Sequence, residues 1–155
     1  MDFDVTRRVL SALEAKGVRY AVCGGVALNL HGLSRTTEDL DIFVEPAAEN
    51  VERLKEALRS VFEDPHIEEI QAADLLGDYP AVQYVPPQGS FHVDILTRLG
   101  QAFAYVDLAT ERLPFEGLTV TVVTPRTLYE MKKDTVRLRD HGDADRLRRR
   151  FGLED

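Results

Sequence analysis

The run Leu40-Asp41-Ile42-Phe43-Val44, with Asp39 just before it, constrains this chain more than any other stretch. It reads as a β-strand, and side chains in a strand point alternately to the two faces of the sheet. Leu40, Ile42 and Val44 then face a core, while Asp39 and Asp41 share the opposite face, roughly 6–7 Å apart. Two carboxylates so placed on a half-buried strand repel each other, and a fold tolerates them when a cation sits between. Rigid carboxylate oxygens suit Mg2+, a hard ion that keeps several waters and shares its shell with substrate phosphates. Asp94, in Phe91-His92-Val93-Asp94-Ile95-Leu96, repeats the pattern, because Val93 and Ile95 alternate with it toward the core. If its strand pairs beside residues 40–44, three carboxylates converge and can hold two metal ions, the arrangement used for in-line displacement at phosphorus. Taken singly, an Asp in a strand is also explained as an edge or turn residue, a reading that weakens once all three stand in matching apolar frames.

Gly24 and Gly25 follow the β-rich run Val18–Cys23 and precede a short helix that ends at Gly32. Glycines between a strand and a helix let backbone N–H groups approach an anion, and the helix adds its positive end. Most glycine pairs are only turns. Beside metal-type carboxylates, however, this pair completes a site with phosphates on one side and a metal on the other, which is a site for a nucleoside triphosphate.

The rest of the chain fits a mixed β-sheet flanked by helices, an α/β (α+β) fold with short C-terminal helices. Helices are expected over 3–16, from Pro46 to about Phe62, from Thr124-Pro125 to about Thr135 and from about Asp140. In the last of these Ala144, Leu147 and Phe151 share one face. Strands are expected at 81–85 and 90–96, joined as a hairpin across Pro86-Pro87-Gln88-Gly89, and at 118–123; residues 66–70 read as a further strand. The 155 residues suit one domain, with its core over about 3–123 and a helical part over about 124–152. No stretch has the ~20 consecutive apolar residues of a membrane span. The charged start is unlike a secretory signal, and a single cysteine excludes an internal disulfide. A cytoplasmic protein is expected. Net charge is −8, and residues 126–155, with 9 Lys+Arg against 7 Asp+Glu, carry +2 of it, leaving −10 on the other 125. Such an acidic body disfavours broad binding to nucleic acid, though a local basic patch could still meet RNA.

A glycine pair after a strand, a gap of about a dozen residues, Asp-apolar-Asp and a later lone Asp on a strand together resemble the nucleotidyltransferase superfamily with the DNA polymerase beta-type fold. Gly24–Val44 looks most like the small bacterial branch of AbiEii/MenT-type toxins, and the tail Leu128–Arg148 is similar to that branch too. The resemblance implies a Mg2+-dependent enzyme, with two ions expected and Mn2+ as an alternative, that moves an NMP from an NTP to an acceptor hydroxyl. The acceptor would be a tRNA, a protein or a small molecule, and the chain would be a toxin–antitoxin component with an antitoxin partner. By the same resemblance Asp39, Asp41 and Asp94 bind the metal ions, and Asp94 helps deprotonate the attacking hydroxyl. Gly24 and Gly25 contact the triphosphate, and Arg35 matches an arginine found just before the Asp pair. Lys132 matches the tail lysine that meets the triphosphate, with Lys133 as its rival. Helical spacing from Leu128 favours Lys132. Asp140 and Asp143 match the tail pattern, although Asp140 also suits a helix N-cap. Relatives often carry Gly-Ser where this chain has Gly24-Gly25. A non-catalytic nucleotide- or partner-binding module on the same fold is the alternative.

Other residues are better explained by packing. His31 and His92 read as histidines on or near the sheet, with a metal-ligand role open to His92. Cys23 reads as a small buried residue rather than a nucleophile. The basic run Arg146–Arg150 complements a helix C-terminus or meets tRNA phosphates, and Tyr79, Tyr84 and Tyr105 are too scattered to form a stacking platform.

Overall fold

A computed structural model of the chain describes residues 3–37, 39–77, 81–99, 103–135 and 137–154. In chain order the elements are α1 (Phe3–Ala15), β1 (Tyr20–Cys23), α2 (Gly24–Leu30), β2 (Asp39–Val44), α3 (Ala48–Val61), α4 (Ala72–Leu76), β3 (Ala81–Tyr84), β4 (His92–Leu96), β5 (Arg98–Leu99), β6 (Phe103–Ala104), β7 (Thr110–Phe115), β8 (Leu118–Val123), α5 (Pro125–Lys132) and α6 (Leu138–Phe151). Six strands form one mixed sheet in the order β3-β4-β2-β1-β8-β7, and β5 and β6 form a separate two-stranded ribbon. β2 runs parallel to β4 and antiparallel to β1, while β1 runs parallel to β8.

Strand alternation sorts the sheet as the sequence demands. Tyr20 and Val22 pair with Val44 and Ile42, and with Leu40, Val93 and Ile95 they are buried in the core. α1 and α3 pack against each other in that core through Leu10, Leu13, Leu54 and Leu58, all fully buried. Each such side chain contributes about 1.5–3 kcal/mol relative to an exposed position. The other face of β2 and β4 carries Asp39, Asp41 and Phe43 beside His92, Asp94 and Leu96. The Asp pair therefore sits on a strand whose back is anchored by some of the most tightly buried residues in the chain.

Several expectations needed correction. Residues 66–70 are not a strand: Pro65–Glu69 form a 3-10 turn, because Pro65 presets the backbone and the Asp64 carboxylate accepts from the His66 N–H at 3.0 Å. The last helix begins at Leu138, so Asp140 is its third residue rather than its N-cap. Phe151 is 38 % exposed and meets His31 edge-on instead of joining the buried stripe of Ala144 and Leu147. β7 and α4 were not anticipated. β7 carries Glu111, Arg112 and Pro114, which suits an edge strand whose polar residues face water. Tyr79 lies outside the described residues. Among the described residues, no helix is long and apolar enough to cross a membrane.

Candidate active site

β2 and β4 bring the three carboxylates together. Asp41 lies directly opposite Asp94 in the parallel ladder, and Asp39 lies opposite His92. Asp41 is in turn opposite Cys23 on β1, and Asp94 opposite Gln83 on β3. One row across four strands thus reads Gln83, Asp94, Asp41, Cys23. Gln83 Nε2 donates to Asp94 Oδ1 at 3.2 Å. His92, read above as a packed histidine, stands among the carboxylates: its Nε2 is 2.8 Å from Asp39 Oδ1 and 3.7 Å from Asp94 Oδ2. Ligand atoms of Asp39, His92 and Asp94 all lie within 4.8 Å of one another.

The electrostatics of this row are unbalanced. Burial, and then the facing Asp94 carboxylate, push the Asp41 carboxyl well above the usual carboxylate range. Among the described residues no lysine or arginine forms an ion pair with Asp39, Asp41 or Asp94. Hard oxygen donors that converge without a cationic partner fit a divalent metal ion, and the Asp39, Asp41 and Asp94 positions suit one. Cys23 is 5 % exposed, and burial pushes its thiol up, as does the neighbouring Asp41 charge; this fits a packed side chain and not a nucleophile.

The glycines have separate steric reasons. Gly24 has φ +68°, and a Cβ there would stand 1.9 Å from Asp41 Oδ2. Any side chain at this position would displace the carboxylate. A Cβ at Gly25 would meet Thr37 Cβ at 3.0 Å and Arg35 Cγ at 3.5 Å, so Gly25 lets the segment 33–37 close over α2. A side chain there would oblige Thr37 to shift by a few tenths of an ångström.

α5 and α6 supply the opposite wall. Thr124 caps α5 by accepting from the Thr127 N–H, and Pro125 occupies the first position. Lys132 ends that helix, 8 % exposed, with Nζ 3.2 Å from Asp140 Oδ1 and 3.1 Å from Asp143 Oδ2. Asp143 also pairs with Arg35 Nη1 at 3.4 Å. Burial works against charge on Asp140, but bonds from Arg137 and Thr135 and the nearby Lys132 hold its carboxyl below the usual range. Lys133 instead pairs with Glu130 at 3.1 Å and lies over the Tyr129 ring. Arg139 and Arg146 donate to the Thr36 and Ser34 carbonyls, strapping α6 onto the segment that leads into β2. Among the described residues, Arg35 Nε is buried without a hydrogen-bond partner.

Between the sheet face and α5–α6 lies a cleft of about 810 Å3. Gly24, Gly25, Arg35, Asp39, Asp41, Asp94 and Lys132 all line it, whereas Lys133 does not. Arg137, Arg139 and Asp140 also line it, as do the apolar side chains of Phe43, Leu96, Leu99, Leu128 and Met131. Sequence reasoning did not weigh Arg137, Arg139 and Gln83; Gln83 could have been found from the hairpin register alone.

Against known proteins, the family profile described as "Nucleotidyl transferase AbiEii toxin, Type IV TA system" matches residues 8–150. No curated protein matches the chain significantly. Among solved structures, a candidate nucleotidyltransferase from Thermotoga maritima superposes with a TM-score of 0.57 at 16% identity, over 96% of this chain and 91% of that one. ANT(2'')-Ia in complex with adenylyl-2''-tobramycin gives a TM-score of 0.59 at 12% identity, over 96% of this chain and 90% of that one. An antigenic nucleotidyltransferase-like protein from Paracoccidioides brasiliensis gives 0.56 at 19% identity, over 94% and 75%. At these identities the structural likenesses speak for the fold.

Proposed function

The chain belongs to the AbiEii nucleotidyltransferase family, and from that premise we propose that it transfers an NMP from an NTP to an acceptor hydroxyl with the help of Mg2+. The observation that carries this reading is the register of β2 and β4, which sets Asp41 directly opposite Asp94 with Asp39 two residues along the same face. These three carboxylates would hold the divalent cation. When bound, the cation polarises the α-phosphate and offsets charge on the departing pyrophosphate.

The protein's own groups supply the rest. Backbone amides at Gly24 and Gly25, freed of side chains, can face the triphosphate, and the unpartnered Arg35 Nε–H can take a phosphate oxygen. Arg137 and Arg139 add positive charge along the same wall. Lys132 serves this wall by holding Asp140 and Asp143, and its charge still bears on Asp41. Asp94, which accepts a hydrogen bond from Gln83, would accept the proton of the attacking hydroxyl. The apolar part of the lining, Phe43, Leu96, Leu99, Leu128 and Met131, is suited to the flat face of a base or to an acceptor ring. Most of the rate enhancement would come from alignment and charge neutralisation. The acceptor is a tRNA, a protein or a small molecule, and the family description supports a place in a toxin–antitoxin pair with an antitoxin partner.

The test is incubation with each α-labelled NTP and Mg2+, adding separately total RNA, protein extract and small-molecule fractions. Label should appear in one acceptor fraction, with release of pyrophosphate, and Asp41→Ala should abolish both. Metal-independent labelling, or labelling that survives Asp41→Ala, would overturn the reading.

A further inference from the structure

His92 is one residue more than three carboxylates require, and its position is specific. It precedes Asp94 by two on the same strand face and stands opposite Asp39 in the register. Its Nε2 lies 2.8 Å from Asp39 Oδ1 and 3.7 Å from Asp94 Oδ2. Ligands bound roughly 2.1 Å from a common ion stand about 3.0–3.4 Å apart in octahedral or tetrahedral shells, so these separations bracket what one ion would draw together. The side chain is 22% exposed, enough to admit an ion and its waters while the backbone is fixed within the sheet.

We propose that His92 is a metal ligand, and that Asp39, His92 and Asp94 form a mixed nitrogen–oxygen set preferring a first-row transition dication such as Mn2+ over Mg2+. Imidazole nitrogen is a softer donor than carboxylate: Mg2+ gains little from it, whereas Mn2+ and the ions beyond it gain affinity. In the ion-free protein the Nε2–H donates to Asp39. On metal binding Nε2 gives its lone pair to the ion, and the proton moves to Nδ1 or to solvent. The Asp39 oxygen released from that hydrogen bond becomes a second donor to the same ion. The inference rests on the transferase reading only in that a divalent ion occupies the site.

The test is pulsed EPR on the full chain loaded with Mn2+ and a non-hydrolysable NTP, together with Mn2+ and Mg2+ titrations of wild type and His92→Gln. The expected result is a nitrogen hyperfine coupling from a directly bound imidazole in wild type, lost in His92→Gln. Wild type should bind Mn2+ at least about tenfold more tightly than Mg2+, and His92→Gln should shrink that ratio by about tenfold. A bound Mn2+ without nitrogen coupling in wild type overturns the proposal, whatever the fate of the variant. So does a variant that weakens both ions equally, since His92 would then only orient Asp39. The two readings separate cleanly. Labelled acceptor without nitrogen coupling leaves the transferase reading standing and removes this one. Nitrogen coupling without any NMP transfer does the reverse.

Discussion

Two charged clusters face each other across one cleft, and they are built on opposite principles. On the sheet side Asp39, Asp41 and Asp94 crowd together around His92 with no lysine or arginine paired to them among the described residues. On the helix side Lys132 and Arg35 are matched to Asp140 and Asp143 by salt bridges of 3.1 to 3.4 Å. The first cluster has no lysine or arginine partner among the described residues, and its donors suit a divalent cation. The second has its carboxylates matched by cations of the chain itself, with Arg35 Nε still without a partner among the described residues.

Four measurements break or sharpen that contrast. Asp41→Asn has the largest expected effect: kcat/KM for NMP transfer falls at least ~1,000-fold, equivalent to about 4 kcal/mol. In metal-free buffer the same variant should melt no lower than wild type, because it relieves repulsion with Asp94. A calorimetric scan showing strong destabilisation would mean the carboxylate is structural. Lys132→Met should do the opposite. It removes the lysine that Asp140 and Asp143 share, leaving them Arg137 and Arg35 alone, and costs about 1–3 kcal/mol in urea unfolding. An unchanged midpoint would show that the helix-side cluster is not the frame. Gly24→Ala forces a Cβ into the Asp41 carboxylate from a left-handed backbone. It should cost about 1–3 kcal/mol and lower activity by displacing Asp41, both visible in one preparation.

The smallest effect belongs to a charged group outside the cleft, and it sets the scale. Arg112 holds the Glu14 carboxyl below its ordinary value of 4.5, and the Tyr20 hydroxyl adds to the effect. A depressed carboxylate contributes stability above its unfolded value, and that contribution is lost as pH falls through the folded one. Glu14→Gln should therefore destabilise by less than about 1 kcal/mol at pH 7. The difference from wild type should fade as pH drops below 4.5. A penalty as large as that of Lys132→Met would erase the distinction between frame and surface.

The sheet-side cluster was largely legible in the sequence, because a strand's two-residue period announces which side chains share a face. Asp39, Asp41 and Asp94 were visible in that way. Their register was not, since hydrogen-bond pairing between β2 and β4 depends on chain segments some fifty residues apart, and so His92 could not be separated from an ordinary packed histidine. The helix-side cluster was less legible still. Lys132 meets partners 8 and 11 residues on, past the break between α5 and α6, and Arg35 meets a partner 108 residues away. No helical period links such positions. β7 escaped notice because its charges and proline belong to an edge and not to a buried strand.

The arginine straps from α6 to the Ser34 and Thr36 carbonyls make the order of synthesis matter. Residues 138–151 leave the ribosome after every strand of the sheet. A nascent chain can pair β1, β2 and β4 while the segment that feeds Asp39 still lacks its brace, and Lys132 still lacks both of its acidic partners. Such a chain would carry all three carboxylates on its sheet while the cleft still lacked the α5–α6 wall. The cleft would gain its second wall last, after the sheet that carries its carboxylates is already in place.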